Sequence, residues 1–354
     1  MVNRRRRLKA VASTPPVRVR KSRVVFLDGG QNRDHADRSR TILPGELPSM
    51  ELAGFQHAFH THYAAIRRFC LERDLGVALV AVHVDGELGG RAWVGARLGE
   101  IQTAIIGRHP SVDLFLQNDA VLSNRHLAMV IEPLTSWEPD QLRFRLLDLR
   151  TGAAMWTEKG ERVEAIVAEG PAFVRVGAYR VMAFQTGSRD SWPESARDAW
   201  EMLPERIFVD EREAEPDAVQ RWSMKQSARG KITLLPAALG ANDPRGGHPL
   251  GTLTIRSRRG AIERTITVAE AKRGVLLGRE PRCDFSGLLA HMQVSRVHLL
   301  IAQIGGRTWV VDTGSLAGLR EDGELVRAVE LDRARELTMG MDLVGLRWTP
   351  FVLH

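Results

Sequence analysis

Apolar residues recur three or four positions apart at Leu52, Phe55, Phe59, Tyr63, Ile66 and Phe69, which is the spacing of one helix face. Ser49 stands where a cap would begin such a helix and Gly76 lies just past its end. The pattern therefore predicts an amphipathic helix over residues 49–75. His57, His60 and His62 fall on it, but no carboxylate or cysteine stands at a ligand spacing, and His62 points well away from His57. They read as solvated or helix-packing histidines, and no metal is expected.

From Val77 the texture changes to short apolar runs divided by glycine and polar turns: 77–84, 102–106, 127–131, 144–147 and 179–184. It returns after about residue 248 with 252–255, 264–268, 275–277, 298–302, 308–311 and 343–348. Short strands with frequent turn signals predict antiparallel sandwiches rather than alternating strand–helix units. Five segments follow: a largely flexible arm (1–48), the helix (49–75), a first sandwich (76–186), an acidic connector (187–230) and a second sandwich (231–354). In the connector, 194–217 holds nine acids against three arginines, and Pro193, Pro204 and Pro216 limit any helix there to a short one. The fold class is thus mainly β, two antiparallel sandwiches with an N-terminal helix and a partly helical connector.

Charge changes this picture at one end only. The 354 residues carry a formal net charge of +7, yet residues 1–23 hold nine basic side chains and no acid. The remainder has 41 basic against 43 acidic residues, or −2. An arginine-rich arm of this kind attracts nucleic acid or another polyanion without reading sequence, and equally suits a solvated arm with no dedicated partner. No run approaches the roughly 18 apolar residues of a membrane span. The arginines near the N-terminus are followed by no apolar core, so no signal peptide is expected. Two cysteines, Cys70 and Cys283, cannot form a disulfide framework and are expected to be reduced thiols of a cytoplasmic protein.

The two β blocks repeat one motif. The first reads Gly107-Arg108-His109-Pro110-Ser111-Val112-Asp113 and then Ser123-Asn124-Arg125-His126; the second reads Gly278-Arg279-Glu280-Pro281-Arg282-Cys283-Asp284 and then Ser295-Arg296-Val297-His298. Arg to Asp is five residues in both, Ser to His three in both, and Arg to Ser is 15 in one and 16 in the other. Each copy then reaches an apolar strand ending in an aspartate, Asp148 or Asp312. Single occurrences would carry no weight; the ordered pair argues for duplication.

This pattern resembles the forkhead-associated (FHA) domain, over about residues 77–186 and 248–354. The resemblance implies two FHA-like sandwiches of about eleven strands, each recognising phosphothreonine in partner proteins through loops at one end. It makes Arg108, Ser123 and Asn124, and Arg279, Ser295 and Arg296, the phosphopeptide-binding residues. It makes Gly107, His126, Gly278 and His298 structural residues of the loops. The Asn that the family carries in its third loop is replaced by Ala153 and Ala317. The chemistry agrees with the name: a phosphothreonine offers nearly two negative charges and three acceptor oxygens, and an arginine with a serine hydroxyl supplies matching donors. Asp113 and Asp284 stand ready as carboxylate partners for the two arginines.

No phosphate-cradling loop with lysine, nucleophile elbow, zinc-protease helix or kinase catalytic loop occurs in the chain, so neither an enzyme nor a cofactor is expected. The reading is a phosphothreonine-dependent adaptor of a bacterial Ser/Thr kinase system, whose partners are kinase substrates. The alternative is a phosphate-independent assembly scaffold, with nucleic acid held weakly through residues 1–23.

Overall fold

The computed structural model describes residues 50–137, 141–188, 192–210, 230–235, 247–290, 293–340 and 344–351, with the paired strands β1 (Val25–Phe26) and β2 (Arg40–Thr41) ahead of them. The rest of the arm expected over 1–48, the Ser49 cap and the polyanion contact of 1–23 lie outside the described residues.

The predicted helix is α1 (Met50–Leu71), and its periodic residues Phe55, Phe59, Tyr63, Ile66 and Phe69 are buried. They pack on Ala78, Val80 and Val82 of β3 (Gly76–His83), while Val77, Leu79 and Ala81 of the same strand face the sandwich core. Both faces of β3 are covered, which is why its sequence shows no polar alternation. Among the helix histidines, His62 bonds the Gly86 carbonyl oxygen at 2.7 Å, and His57 and His60 are exposed.

The first sandwich pairs two sheets. One has the order β4 (Leu88–Gly95), β3, β13 (Tyr179–Thr186), β12 (Ala172–Val176), β9 (Met155–Thr157), β10 (Arg162–Val163). The other runs β6 (Leu114–Phe115), β5 (Gln102–Gly107), β7 (Leu127–Ile131), β8 (Phe144–Asp148), β11 (Ala165–Glu169). The second sandwich repeats both orders. Its six-stranded sheet is β17 (Gly260–Thr267), β16 (Pro249–Ser257), β25 (Val344–Pro350), β24 (Arg335–Met339), β21 (Leu319–Glu321), β22 (Glu324–Val326). Its four-stranded sheet is β18 (Val275–Leu277), β19 (Leu299–Ile304), β20 (Arg307–Asp312), β23 (Ala328–Glu330). Strand for strand, the second copy follows the first, with the short helix α4 (Ser286–Leu289) where the first has β6.

Two details differ from the sequence expectations. Lys231–Leu235, expected to open the second sandwich, is β15 and pairs antiparallel with β11 of the first; β14 (Ile207–Asp210) then pairs parallel with β15. The apolar run extended to Val268 ends at Thr267, because Thr267 and Glu270 form a capping box that starts helix α3 (Val268–Arg273). The connector's described start is held on the first sandwich. Its short helix is α2 (Ala196–Met202), and beyond it the buried Arg206 pairs with Glu158 at 2.7 Å and lies 4.3 Å over the Phe173 ring.

A third apolar core joins the two sandwiches. Ile105, Ala128, Val130, Leu147, Ala165 and Val167 on the first meet Leu276, Leu300, Ala302, Ile304, Trp309 and Val311 on the second. Among the described residues, α1 and the four sheets of the two sandwiches are therefore stacked, and the two inner sheets are buried on both faces. All five residues of β7 are buried for that reason.

Candidate functional site

The repeated motif residues are brought together at the ends of β5 and β18, and each copy builds the same hydrogen-bond frame. The Arg108 N–H donates to the Ser123 carbonyl oxygen at 3.0 Å, and the Arg279 N–H to that of Ser295 at 3.2 Å. The Ser123 N–H donates to Nδ1 of His126 at 3.2 Å, and the Ser295 N–H to Nδ1 of His298 at 3.1 Å. Both histidine N–H groups return to the strand, on Ile106 and Leu277, at 2.8 Å. Each histidine is fully buried and holds the serine at the strand end. The glycines matter for close approach: a Cβ on Gly107 would run into the Asn124 carbonyl, and one on Gly278 into that of Arg296.

The third loop also repeats, despite its different residues. Asp148 accepts the N–H and hydroxyl of Thr151 at 2.8 and 2.9 Å; Asp312 accepts those of Ser315 at 2.7 and 3.2 Å. Two residues after each aspartate the backbone is left-handed, at Arg150 (φ 55°) and Gly314 (φ 73°), and six residues after it again, at Ala154 (φ 57°) and Gly318 (φ 78°). The first copy thus reaches the loop conformation of the second without its glycines. The histidines brace these loops, Nε2 of His126 on the Thr151 hydroxyl at 2.8 Å and Nε2 of His298 on the Gly318 carbonyl at 3.0 Å.

The arginines of the motif lie outside the sheets. Arg108 is exposed, its Nε donating to the Leu122 carbonyl at 3.1 Å. Arg279 and Arg296 are exposed with no side-chain partner among the described residues. Asn124 is half-buried beside Ser123. The two serine hydroxyls differ: that of Ser295 accepts the Leu316 N–H at 3.1 Å, whereas that of Ser123 accepts Nη1 of Arg282, from the second sandwich, at 3.1 Å.

The aspartates expected to serve Arg108 and Arg279 do something else. Asp113 accepts the Ile105 N–H at 2.7 Å and Asp284 the Leu276 N–H at 2.8 Å. Each then takes an arginine of the other sandwich, Arg327 on Asp113 at 3.0 Å and Arg150 on Asp284 at 2.8 Å. In each aspartate one oxygen, Oδ2, accepts both the strand N–H and the crossing arginine, and Oδ1 of Asp284 lies 3.8 Å from Arg264 of its own sandwich. Arg125 also crosses, Nε donating to the Thr313 carbonyl at 2.8 Å and a second nitrogen to that of Gly314. Sequence reasoning passed over Arg125, Arg150, Arg282 and Arg327. The only signal was difference between the copies, since Arg125 stands where the second has Val297 and Arg282 where the first has Ser111.

Burial sets the titration of the frame. It pushes the His126 imidazole down to about 4, with nearby Arg282 adding to the effect, and it lowers His298 as well. It raises the Asp148 carboxyl to about 6 against the opposing Thr151 hydrogen bonds. Neutral rings are what the frame needs, because Nδ1 must accept a backbone N–H in both copies. The thiols of Cys70 and Cys283 are buried and pushed up to about 12 and about 11, so neither is a ready nucleophile.

Comparison with known proteins finds a family match for one of the two motif copies. The family model of the FHA domain matches residues 275–340, which include Arg279, Ser295, Arg296 and His298. Among solved structures, FHA-1 of Rv1747 from Mycobacterium tuberculosis is 32% identical, over 29% of this chain and 99% of that one, with a TM-score of 0.25. The FHA domain of CT664 from Chlamydia trachomatis is 14% identical, over 31% and 96%, with a TM-score of 0.24. The yeast Dun1 FHA domain, solved with a doubly phosphorylated (pT) peptide derived from Rad53, is 14% identical over 33% and 79%, with a TM-score of 0.26. No curated protein sequence matches the chain. No helix among the described residues is long and apolar enough to cross a membrane. FHA domains are phosphothreonine-binding modules and not enzymes, and this chain belongs to that family through the domain at residues 275–340.

Proposed function

We propose that the protein is a non-catalytic, cytoplasmic adaptor that binds phosphothreonine-containing proteins through two pockets, one on each sandwich. The observation that carries this reading is the recurrence of one frame: an exposed arginine at a strand end, a serine beside it, and a buried neutral histidine holding the serine in place. A guanidinium and a hydroxyl presented on a rigid frame supply the charge-assisted donors that a phosphate ester needs and an unmodified threonine cannot use. Each such bond contributes about 1.5–3 kcal/mol, so two or three separate the two peptides by orders of magnitude. The joining core and the paired arginines and aspartates support a fixed relation between the pockets, which suits a doubly phosphorylated partner of matching spacing.

The test is a phosphothreonine peptide library presented to the full chain, to Arg108→Ala and to Arg279→Ala, with unphosphorylated peptides alongside. Each variant is expected to lose one class of phosphorylated peptides and to leave the unphosphorylated background unchanged. Equal binding of both peptide sets, unaffected by either substitution, would replace this reading with a phosphate-independent assembly scaffold.

A further inference from the structure

The Ser123 hydroxyl, the neutral donor of the first pocket, is held by a guanidinium from the other sandwich. Arg282 is half-buried at the joint. Its Nη1 lies 3.1 Å from the Ser123 Oγ, its Nε is buried without any acceptor, and it forms no ion pair among the described residues. A partly desolvated guanidinium whose one side-chain acceptor is a neutral hydroxyl has no carboxylate in direct contact, and the nearby Asp148 feels its charge from beyond ion-pair distance. The segment carrying it is fixed: Arg150 bonds the carbonyls of Gly274 at 2.9 Å and Arg282 at 3.4 Å, and pairs with Asp284 at 2.8 Å. Cys283, the next residue, belongs to the joining core.

From this placement we infer that Arg282 is a phosphate ligand of the first pocket, so that the pocket is composite: Arg108, Ser123 and Asn124 come from the first sandwich and a second guanidinium from its neighbour. The inference rests on the phosphothreonine reading above and adds a ligand to it. A phosphate dianion at Ser123 gives Arg282 the direct anionic contact that Asp148 does not make, and two guanidinium groups then flank it. The second pocket has no counterpart, because Ser111 occupies the matching position of the first copy and the Ser295 hydroxyl is taken by the Leu316 N–H. The docking of the two sandwiches therefore gives the first pocket a second guanidinium, whereas at the second pocket the crossing Arg125 is engaged by the Thr313 and Gly314 carbonyls of the third loop.

The test uses the full chain carrying Arg279→Ala, which silences the second pocket. The probe is the phosphothreonine peptide that this variant binds most tightly in the library, with its unphosphorylated twin, read by fluorescence anisotropy. Adding Arg282→Gln, which keeps a donor for Ser123 but removes the charge, is expected to weaken the phosphorylated peptide tenfold or more and leave the twin unchanged. Adding Arg282→Lys is expected to restore part of the loss. Equal or tighter binding with Arg282→Gln, while Arg108→Ala in the same background abolishes it, overturns the inference and makes Arg282 a bystander or a plug. Loss of all binding on Arg279→Ala alone also overturns it and leaves the phosphothreonine reading standing on the second pocket. A wild-type chain that does not distinguish the two peptides removes both.

Discussion

Arg150 and Asp284 meet across the joint at 2.8 Å, and Asp284 at the same time accepts the Leu276 N–H of its own sheet. One carboxylate thus closes the strand end beside the second pocket and fastens the first sandwich to it. Arg327 and Asp113 do the same in the opposite direction. Asp284→Ala is expected to leave a strand N–H and a guanidinium short of an acceptor and to cost about 2–4 kcal/mol. Urea unfolding followed by tryptophan fluorescence measures this. A cost below 0.5 kcal/mol would mean that the ion pair does not hold the joint.

The closeness of Gly278 to the Arg296 carbonyl predicts that Gly278→Ala displaces the serine loop rather than merely crowding it. The obstacle is backbone and cannot rotate away. The variant is expected to lose about 1–3 kcal/mol of stability and to bind phosphorylated peptide at the second pocket at least tenfold more weakly. Calorimetry paired with anisotropy checks both.

Ala154 adopts φ 57°, where its counterpart Gly318 adopts 78°. A side chain in this region carries a steric cost of about 1–2 kcal/mol, part of which glycine returns through its freer unfolded state. Ala154→Gly is therefore expected to stabilise the chain by about 0.5–1 kcal/mol. A lowered midpoint in thermal unfolding would contradict the shared loop conformation.

His126 and Asp148 act in opposite senses on acidification. His126 titrates near 4 when folded against an ordinary 6.5, so the folded state binds fewer protons in that window and loses stability as pH falls through it. Asp148 titrates near 6 against an ordinary 3.8, so the folded state binds more protons there and gains stability as pH falls. Asp148→Asn removes the gain alone. The variant should lose up to about 3 kcal/mol more than wild type between pH 6.5 and pH 4, as read from urea unfolding at pH 4, 5 and 6.5. Parallel curves for the two proteins would contradict the burial of a protonated Asp148.

Periodicity and local chemistry were enough to locate α1, the main strands and the repeated motif, because each depends on neighbours within a few residues. The Arg-to-Asp and Ser-to-His spacings place their residues at strand ends, and Arg108, Arg279, Ser123 and Ser295 stand there in the fold. Even the uninterrupted apolar run of β7 was visible, although not what covers its second face.

That second face is a decision of tertiary structure. Nothing near Val130 or Leu300 in sequence says that the two sheets meet; the contact follows from apolar surface on two domains with no other cover. The same docking sends Asp113, Asp284 and Ser123 to arginines more than 130 residues away and moves β15 to the first sandwich. Spacing along a chain specifies which groups a loop presents, whereas the partner that meets them depends on which surfaces bury each other.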